Sequence, residues 1–303
     1  MKIGYPCINR TVDCSGNKTF RLKSYSKDRL VQTIENNLSC LLKILKFNIV
    51  NNILFFRITS DLIPFASHPI CTYNWQEHFL SKFVEIGSII KNYNVRISMH
   101  PDQFIVLNSI KPEIVDRSIA ELKYHAQVLD LMNLDSTAKI QLHVGGIYNN
   151  KQKSLERFCE NYNSLDRSIK SRLVIENDHR LYCLKDCLKI HEKTGIPVLF
   201  DVFHNKIFNC GESIKDSYSL FSKTWDKSDG LPMLDYSSQK PGKTAGVHAE
   251  AIDKKDFLRF LETTKSFDFD IMFEIKDKEK SVLRIMEIVK SDPRFIILNE
   301  VRI

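Results

Sequence analysis

The sequence of 303 residues lacks several features that mark particular classes of protein. It has no low-complexity run, no linker rich in proline or glycine and no evident internal repeat. No segment approaches the roughly 20 consecutive apolar residues of a membrane-spanning helix. The first residues, MKIGYPCINR, lack the long apolar segment of a signal peptide. We therefore expect one soluble, cytoplasmic domain over residues 1–303.

Cysteine is also sparse, with eight residues in the chain and no CxxC pair. Small disulfide-stapled domains have a much higher cysteine density, and structural zinc ribbons use paired cysteines. The sequence supports neither class. We expect the thiols to be reduced, as in most cytoplasmic proteins.

Hydrophobic residues make up 43% and charged residues 27% of the chain, which suits a globular protein with a full core and excludes a disordered tail. The net charge of +7 is concentrated near the amino end, where residues 1–60 contain ten Lys or Arg and three acids. That difference equals the whole excess. A one-sided basic face favours a polyanion such as nucleic acid, and a lysine-rich surface kept for solubility is the alternative.

Short apolar or β-branched runs recur along the chain and predict eight strands. They lie at 2–5, 53–58, 95–99, 139–144, 172–177, 197–202, 231–236 and 271–275. The segments between them have helical spacing, as in the stripe that includes Leu30, Ile34, Leu38 and Leu45. Strands that are nearly continuous in apolar character, each followed by a helix, predict a parallel (β/α)₈ barrel.

Metal-competent side chains follow strand after strand, where barrel enzymes place their working residues. In chain order they are His68, His100, His143, Glu176, Asp201, His204, Asp235, His248 and Glu274. Carboxylates buried together repel one another unless a cation compensates them, so their convergence implies divalent metal. Mixed imidazole and carboxylate ligands suit zinc, manganese or iron better than calcium. A cluster of two or three such ions suits displacement at phosphorus, as in a phosphodiesterase.

Nine strings in order along the chain resemble the UV damage endonuclease family, whose barrel is similar to that of endonuclease IV. They are GYPCIN (4–9), FRITSDLIPFASH (56–68), MHPDQF (99–104), LHVGG (142–146), IENDH (175–179), FDVFH (200–204), SSQ (237–239), GVHAE (246–250) and FEIKDKE (273–279). The resemblance implies a nuclease that nicks double-stranded DNA 5′ of ultraviolet photoproducts, such as pyrimidine dimers and 6-4 products, and also cuts at abasic sites. It further implies a trinuclear centre, usually of Mn²⁺ with Zn²⁺, Mg²⁺ or Co²⁺ as alternatives. We expect a monomer associated with the nucleoid.

The resemblance also implies roles for individual residues. His100, His143 and Glu176 would hold a first ion, and Glu176 would bridge to a second ion held also by Asp201, His248 and Glu274. A third would use His204 and strand seven, while His68 would contact the scissile phosphate. The family has a lysine, often carboxylated, and a histidine on strand seven, where this chain has Met233 and Asp235. Methionine offers no hard ligand, so we expect a weakened or absent third ion, with Asp235 as a replacement oxygen donor.

Recognition of two crosslinked pyrimidines requires residues that fill the gap left when the lesion is extruded. By the same resemblance, Gln103 and Phe104 would form the inserted probe, with Phe104 in place of the usual tyrosine. The remaining predicted contacts are Tyr5 and Asn9 with the flipped lesion, and Ser237, Ser238 and Gln239 with DNA phosphates beside Lys240 and Lys243.

Two other functions fit parts of the pattern. Metal-dependent sugar isomerases and epimerases also gather His, Glu and Asp at the strand ends of a barrel. The basic amino-terminal segment and the Gln103–Phe104 loop argue against a small neutral sugar as substrate. A damaged-DNA-binding protein with impaired catalysis is suggested only by Met233 and Asp235.

Overall fold

The computed structural model describes residues 1–298 as a closed barrel of eight parallel strands, paired in chain order from β1 to β8 and back to β1. The strands are β1 (Ile3–Pro6), β2 (Phe55–Ile58), β3 (Arg96–Met99), β4 (Lys139–His143), β5 (Leu173–Glu176), β6 (Val198–Asp201), β7 (Met233–Tyr236) and β8 (Asp270–Phe273). Each overlaps a predicted run, so the predicted (β/α)₈ barrel is confirmed. The predicted domain extends to residue 303, and its last five residues lie outside the described part.

Helices surround the barrel and connect its strands. They are α1 (Lys27–Val50), α2 (Trp75–His78), α3 (Leu80–Asn92), α4 (Pro112–Leu131), α5 (Lys151–Ser164), α6 (Arg167–Lys170), α7 (Leu184–Thr194), α8 (Val202–Ile207), α9 (Ile214–Phe221), α10 (Lys254–Thr263) and α11 (Glu279–Lys290). Within residues 1–298, no helix combines the length and apolar character needed to cross a bilayer.

The helix α1 shows how local sequence and packing agree. It begins after Ser26, whose hydroxyl accepts a hydrogen bond from the Arg29 amide at 3.2 Å and so satisfies a free donor of the first turn. Leu30, Ile34 and Leu38 all lie on its buried face, as the three- and four-residue spacing predicts. That face packs onto the barrel as part of one continuous core.

Ion pairs fill the amino-terminal end of the barrel, opposite the predicted site. Arg96, the first residue of β3, donates to Asp270, the first residue of β8, at 2.8 Å. Lys139, the first residue of β4, donates to Asp229 at 2.5 Å. These buried charges compensate one another, which is the condition for keeping them out of water. This end therefore stabilises the barrel, and the opposite end is left for chemistry.

The expectation of eight reduced thiols is wrong for the structure. Cys14 is joined to Cys40 and Cys183 to Cys210, with Cα–Cα separations of 5.7 and 6.1 Å. Cys7, Cys71, Cys159 and Cys187 remain free thiols. The bonded partners lie 26 and 27 residues apart in sequence, so their proximity depends on the barrel and has no short motif to reveal it.

Candidate metal centre

The strand ends bring the predicted ligands into two overlapping groups at the carboxyl-terminal mouth of the barrel. His100, His143 and Glu176 offer donor atoms that all lie within 4.8 Å of one another. Glu176, Asp201 and Asp235 do the same. Glu176 ends β5 and belongs to both groups. A carboxylate shared in this way has the position required of a bridge between two cations.

The Glu176 carboxylate is buried and contacts two side chains of the neighbouring strand β4 and the histidine that follows β3. Its Oε1 lies 2.8 Å from His143 Nε2 and 3.4 Å from His100 Nε2, and its Oε2 accepts from the side-chain amide of Gln141. Although burial favours the neutral acid, His143 and His100 bring the pKa of Glu176 well below its usual range. In the same pairing, Glu176 overcomes the effect of burial and raises the pKa of His143 to about 9.

Three imidazole rings are oriented by main-chain carbonyl groups. The Nδ1 atom lies 2.7 Å from the Pro101 oxygen in His100, 3.1 Å from the Asn177 oxygen in His204 and 2.8 Å from the Glu274 oxygen in His248. When Nδ1 donates to such a carbonyl, Nε2 keeps its lone pair, which is the arrangement typical of metal-bound histidines.

Asp201 combines a structural and a potential ligand function. It is the N-cap of α8, and its Oδ1 accepts from the His204 amide at 2.7 Å. Its Oδ2 lies 3.2 Å from His204 Nδ1. Burial, reinforced by Glu274 and Glu176, raises the pKa of Asp201 to about 7 despite the opposing effect of His204. The crowded carboxylates therefore favour a compensating cation.

Some predicted ligands stand beside the two groups. Among the described residues neither group includes His204, His248 or Glu274. The His204 ring lies 6.1 Å from the His143 ring and 6.5 Å from the His248 ring, measured between centroids. The rings of His143, His204 and His248 thus neighbour one another at the mouth of the barrel, beside the two groups.

Arg57, which was not among the residues predicted from sequence, lies inside the barrel on β2 and is 3% exposed. Its Nη2 donates to Asp235 Oδ1 at 2.9 Å and Oδ2 at 2.8 Å, and to Gln141 Oε1 at 2.7 Å, while its Nη1 donates to Glu274 Oε1. Burial opposes the charge of Arg57, but Asp235 and Glu274 raise its pKa above the usual value. Burial alone would raise the pKa of Glu274, but Arg57 lowers it to about 2. The arginine within the otherwise apolar run ILFFRI was the feature of the sequence that could have indicated a buried charge in the site.

Gln141 and His179 were also missed. Gln141 joins the two acidic partners, because its Nε2 donates to Glu176 and, at 2.6 Å, to Asp235 Oδ2. A glutamine within the apolar run KIQLHV is unusual for a strand buried on both faces and could have drawn attention. The ring of His179, in the loop after β5, lies 5.2 Å from the ring of His204.

Both residues singled out on strand seven are buried. Met233 is fully buried among apolar side chains, as a core residue should be. Asp235 is buried too, but both of its oxygens accept from Arg57. The expectation that Asp235 replaces the histidine as an oxygen donor to a third ion stays a prediction, although Arg57 already occupies both of its oxygens in this structure.

The loop after β3 presents two predicted probe residues to solvent. Gln103 is exposed, and Phe104 is 75% exposed, the most exposed large apolar side chain among the described residues. Both line an open cavity of about 680 Å³ together with Arg57, His100 and Glu274. The probe loop and one member of the two donor groups, His100, therefore line the same cavity.

The five other predicted DNA contacts all form hydrogen bonds within the protein itself. Tyr5 is fully buried, donating to Asn48 Oδ1 at 2.6 Å and accepting from Asn9 Nδ2 at 2.7 Å. The side chain of Tyr5 thus lies in the core in this structure, and its contact with a lesion stays a prediction. Asn9, itself 6% exposed, accepts from the amides of residues 11 and 12 and so shapes the loop after β1.

The serines after β7 are also internal. Ser237 donates to the Glu274 carbonyl at 2.9 Å and lies 2.7 Å from His248 Nδ1, and Ser238 accepts from the Asp253 amide. Both are buried in this structure, and their contact with DNA phosphates stays a prediction. Gln239 is exposed, but its amide bonds to backbone groups of residues 240–246 and folds that loop.

His68 is exposed in the loop after β2. Among the described residues its contacts lie within its own loop, where Nδ1 accepts from the Ile70 amide at 3.1 Å and the ring packs against Phe65. Its role at a phosphate stays a prediction.

Fold and site together define a barrel enzyme whose mouth carries a shared carboxylate flanked by imidazoles. The model of the UV-endonuclease UvdE family matches residues 1–296, and this chain belongs to that family. The UV DNA damage endonuclease of Clostridium perfringens (strain 13 / Type A) is 42% identical over 292 residues, covering 96% of this chain and 71% of that protein. The crystal structure of SacUVDE superposes with a TM-score of 0.92 at 47% identity, covering 96% of this chain and 98% of that one.

A more distant likeness concerns the fold alone. Endonuclease IV from Thermus thermophilus matches with a TM-score of 0.58 at 12% identity, covering 82% of this chain and 93% of that one. The predicted similarity to the endonuclease IV barrel is thereby confirmed.

Proposed function

We propose that this chain is a DNA repair endonuclease that nicks the phosphodiester backbone 5′ of ultraviolet photoproducts and cuts at abasic sites, using bound divalent ions, Mn²⁺ first among them. The observation that supports this most directly is the pair of donor groups sharing Glu176 at the barrel mouth. The family of the chain and the name of its Clostridium relative support damaged DNA as the substrate.

The donor set fits such ions. His100, His143 and Glu176 would hold one ion, and Glu176 with Asp201 would hold part of a second, with His248 beside it. His143 Nε2 and His100 Nε2 lie 2.8 and 3.4 Å from Glu176 Oε1, so imidazole and carboxylate donors of the kind that Mn²⁺ and Zn²⁺ accept already converge there. Ions bound there supply activation of water and neutralise charge that develops at the phosphate.

The side chains around the centre suit a nucleic-acid strand. Exposed cations occupy the loop after β1 and the start of α1, at the same end of the barrel as Glu176; they are Arg10, Lys18, Arg21, Lys23, Lys27 and Arg29. These positive charges attract phosphates without reading sequence. Phe104, free of core packing, can enter the base stack as an apolar wedge, and a lesion that already weakens stacking lowers the cost.

A nicking assay tests the function. Supercoiled plasmid, either irradiated at 254 nm or depurinated, is incubated with the protein and Mn²⁺, and untreated plasmid serves as the substrate control. We expect relaxed circles from both damaged plasmids, and an end-labelled duplex with one photoproduct should be cut on its 5′ side. Intact plasmid with no binding would favour a sugar isomerase, and binding without cleavage would favour an impaired DNA-binding protein.

The matched variant is Glu176→Gln, which keeps the shape of the bridging side chain and removes its charge. We expect it to fold and to lose cleavage. Gln152→Glu, an exposed change on α5, is the control and should cut as the parent does. Cleavage retained by Glu176→Gln would contradict the proposed centre.

A further inference from the structure

The guanidinium of Arg57 lies among the carboxylates of the candidate centre and is already a cation there. It reaches Asp235 with two hydrogen bonds, Gln141 with one and Glu274 with one. Its side chain is 3% exposed and that of Asp235 is 1% exposed. A charge this deeply buried is retained only when fixed partners compensate it.

This arrangement changes how many donors are left for metal ions. Asp235 belongs by distance to the group with Glu176 and Asp201, but its Oδ1 accepts from Arg57, and its Oδ2 accepts from both Arg57 and Gln141. An ion bound at Asp235 would have to displace these donors and lie beside a like charge. Met233, two residues earlier on the same strand, is buried in the core and supplies no hard ligand.

The charge balance of the site also favours two divalent ions over three. Four carboxylates converge, namely Glu176, Asp201, Asp235 and Glu274, and Arg57 neutralises one of them. Two divalent ions would more than balance the rest and leave a small positive excess for one DNA phosphate. A further divalent ion would crowd the guanidinium with like charge.

We propose that Arg57 is a resident cation that takes the place of a third metal ion, so that the centre binds two divalent ions and Asp235 is a counter-ion of Arg57 and not a metal ligand. Arg57 is thus a positioning residue, which holds Glu274 at the rim of the cavity. The inference rests on the proposed function only in taking divalent ions to bind at this centre.

The test counts ions and does not depend on cleavage. Protein is equilibrated with Mn²⁺ by gel filtration in buffer of known Mn²⁺ concentration, and elemental analysis of the protein fraction, minus the Mn²⁺ content of the buffer, gives the bound ions per chain. Electron paramagnetic resonance of free Mn²⁺ gives an independent count. We expect two ions per chain in the parent protein, and a count of three would overturn the proposal.

Two variants separate the roles of Arg57 and Asp235. Asp235→Asn keeps an acceptor for the guanidinium, so we expect two ions and an unchanged Mn²⁺ binding curve; loss of an ion would show that Asp235 is a ligand and overturn the proposal. Arg57→Met frees Asp235 and Glu274, and we expect the count to rise from two to three. A folded Arg57→Met protein that still binds two ions would contradict the exclusion of a third ion by Arg57.

Control variants keep the outcome interpretable. Arg57→Lys retains the charge and should keep two ions. Arg96→Met removes an equally buried arginine, paired with Asp270 at the far end of the barrel, and should also keep two. A protein that binds two ions but fails to nick damaged DNA would refute the proposed function and leave this inference standing. A protein that binds three ions and nicks damaged DNA would refute this inference and leave the proposed function standing.

Discussion

The buried histidine of α4 makes the stability of this protein depend on pH in a way that can be measured. His125 is fully buried, its Nδ1 lies 2.8 Å from the Glu121 carbonyl oxygen, and its Nε2 is buried without a hydrogen-bond partner among the described residues. Burial lowers the pKa of His125 from 6.5 to about 4. The folded protein therefore favours the neutral ring, whereas the unfolded chain takes up a proton near its ordinary pKa.

The direction and size of the effect follow from this difference. Because the folded-state pKa is depressed, the contribution of His125 is fully present above pH 6.5 and is lost as the pH falls towards 4. Each pKa unit corresponds to about 1.4 kcal/mol. Between pH 7.5 and 4.5 the loss of unfolding free energy from this one group should be about 2.5 kcal/mol.

The measurement is urea denaturation at pH 7.5 and 4.5, followed by circular dichroism in metal-free buffer. The comparison is with His125→Phe, which keeps a ring in the core and cannot titrate. Carboxylates and other histidines titrate alike in both proteins, so the difference between the two pH dependences isolates His125. Equal losses of stability in the two proteins would refute the assignment of a neutral, buried imidazole.

Three further outcomes are expected. Phe104→Ala should weaken binding to irradiated DNA by roughly 5- to 150-fold, the equivalent of about 1–3 kcal/mol of stacking, without changing the melting temperature. Phe104→Tyr should bind normally. Affinity is measured by fluorescence anisotropy, and an unchanged affinity of Phe104→Ala would exclude Phe104 from the interface. Loss of the Cys183–Cys210 disulfide in Cys183→Ser should lower the unfolding free energy by about 3.5 kcal/mol in urea titrations, from the entropy of a loop closed over 27 residues, and an unchanged midpoint would contradict this. Mn²⁺ should raise the melting temperature of the parent protein in differential scanning fluorimetry and raise that of Glu176→Gln much less, so equal shifts would count against a bridging Glu176.

The candidate site was predictable from sequence where residues follow strands directly. His143 and Glu176 end β4 and β5, and Asp201 ends β6, so recognising the strands was enough to expect them at one mouth. Arg57 was visible as a charge within an apolar strand, but its partners lie on β7 and after β8, far along the chain. Only closure of the barrel brings them together.

The predicted DNA contacts differ in how deeply they are buried, which also depends on the closed barrel. Phe104 lies in a loop and is exposed, as a probe must be, whereas Tyr5 is buried and its hydroxyl group hydrogen-bonds to Asn9 and Asn48. A motif match fixes the position of a tyrosine in the chain, but it does not specify which neighbours satisfy its hydroxyl group.

The sequence by itself determined the alternation of strands and helices and the set of metal-competent residues after the strands, because apolar periodicity and strand ends are local properties of the chain. The tertiary structure alone decided that Arg57 pairs with Asp235, that Tyr5 is buried and that cysteines 26 and 27 residues apart form disulfides. These outcomes depend on which distant side chains compete for the same buried partner. That competition begins only once the barrel closes and water is excluded.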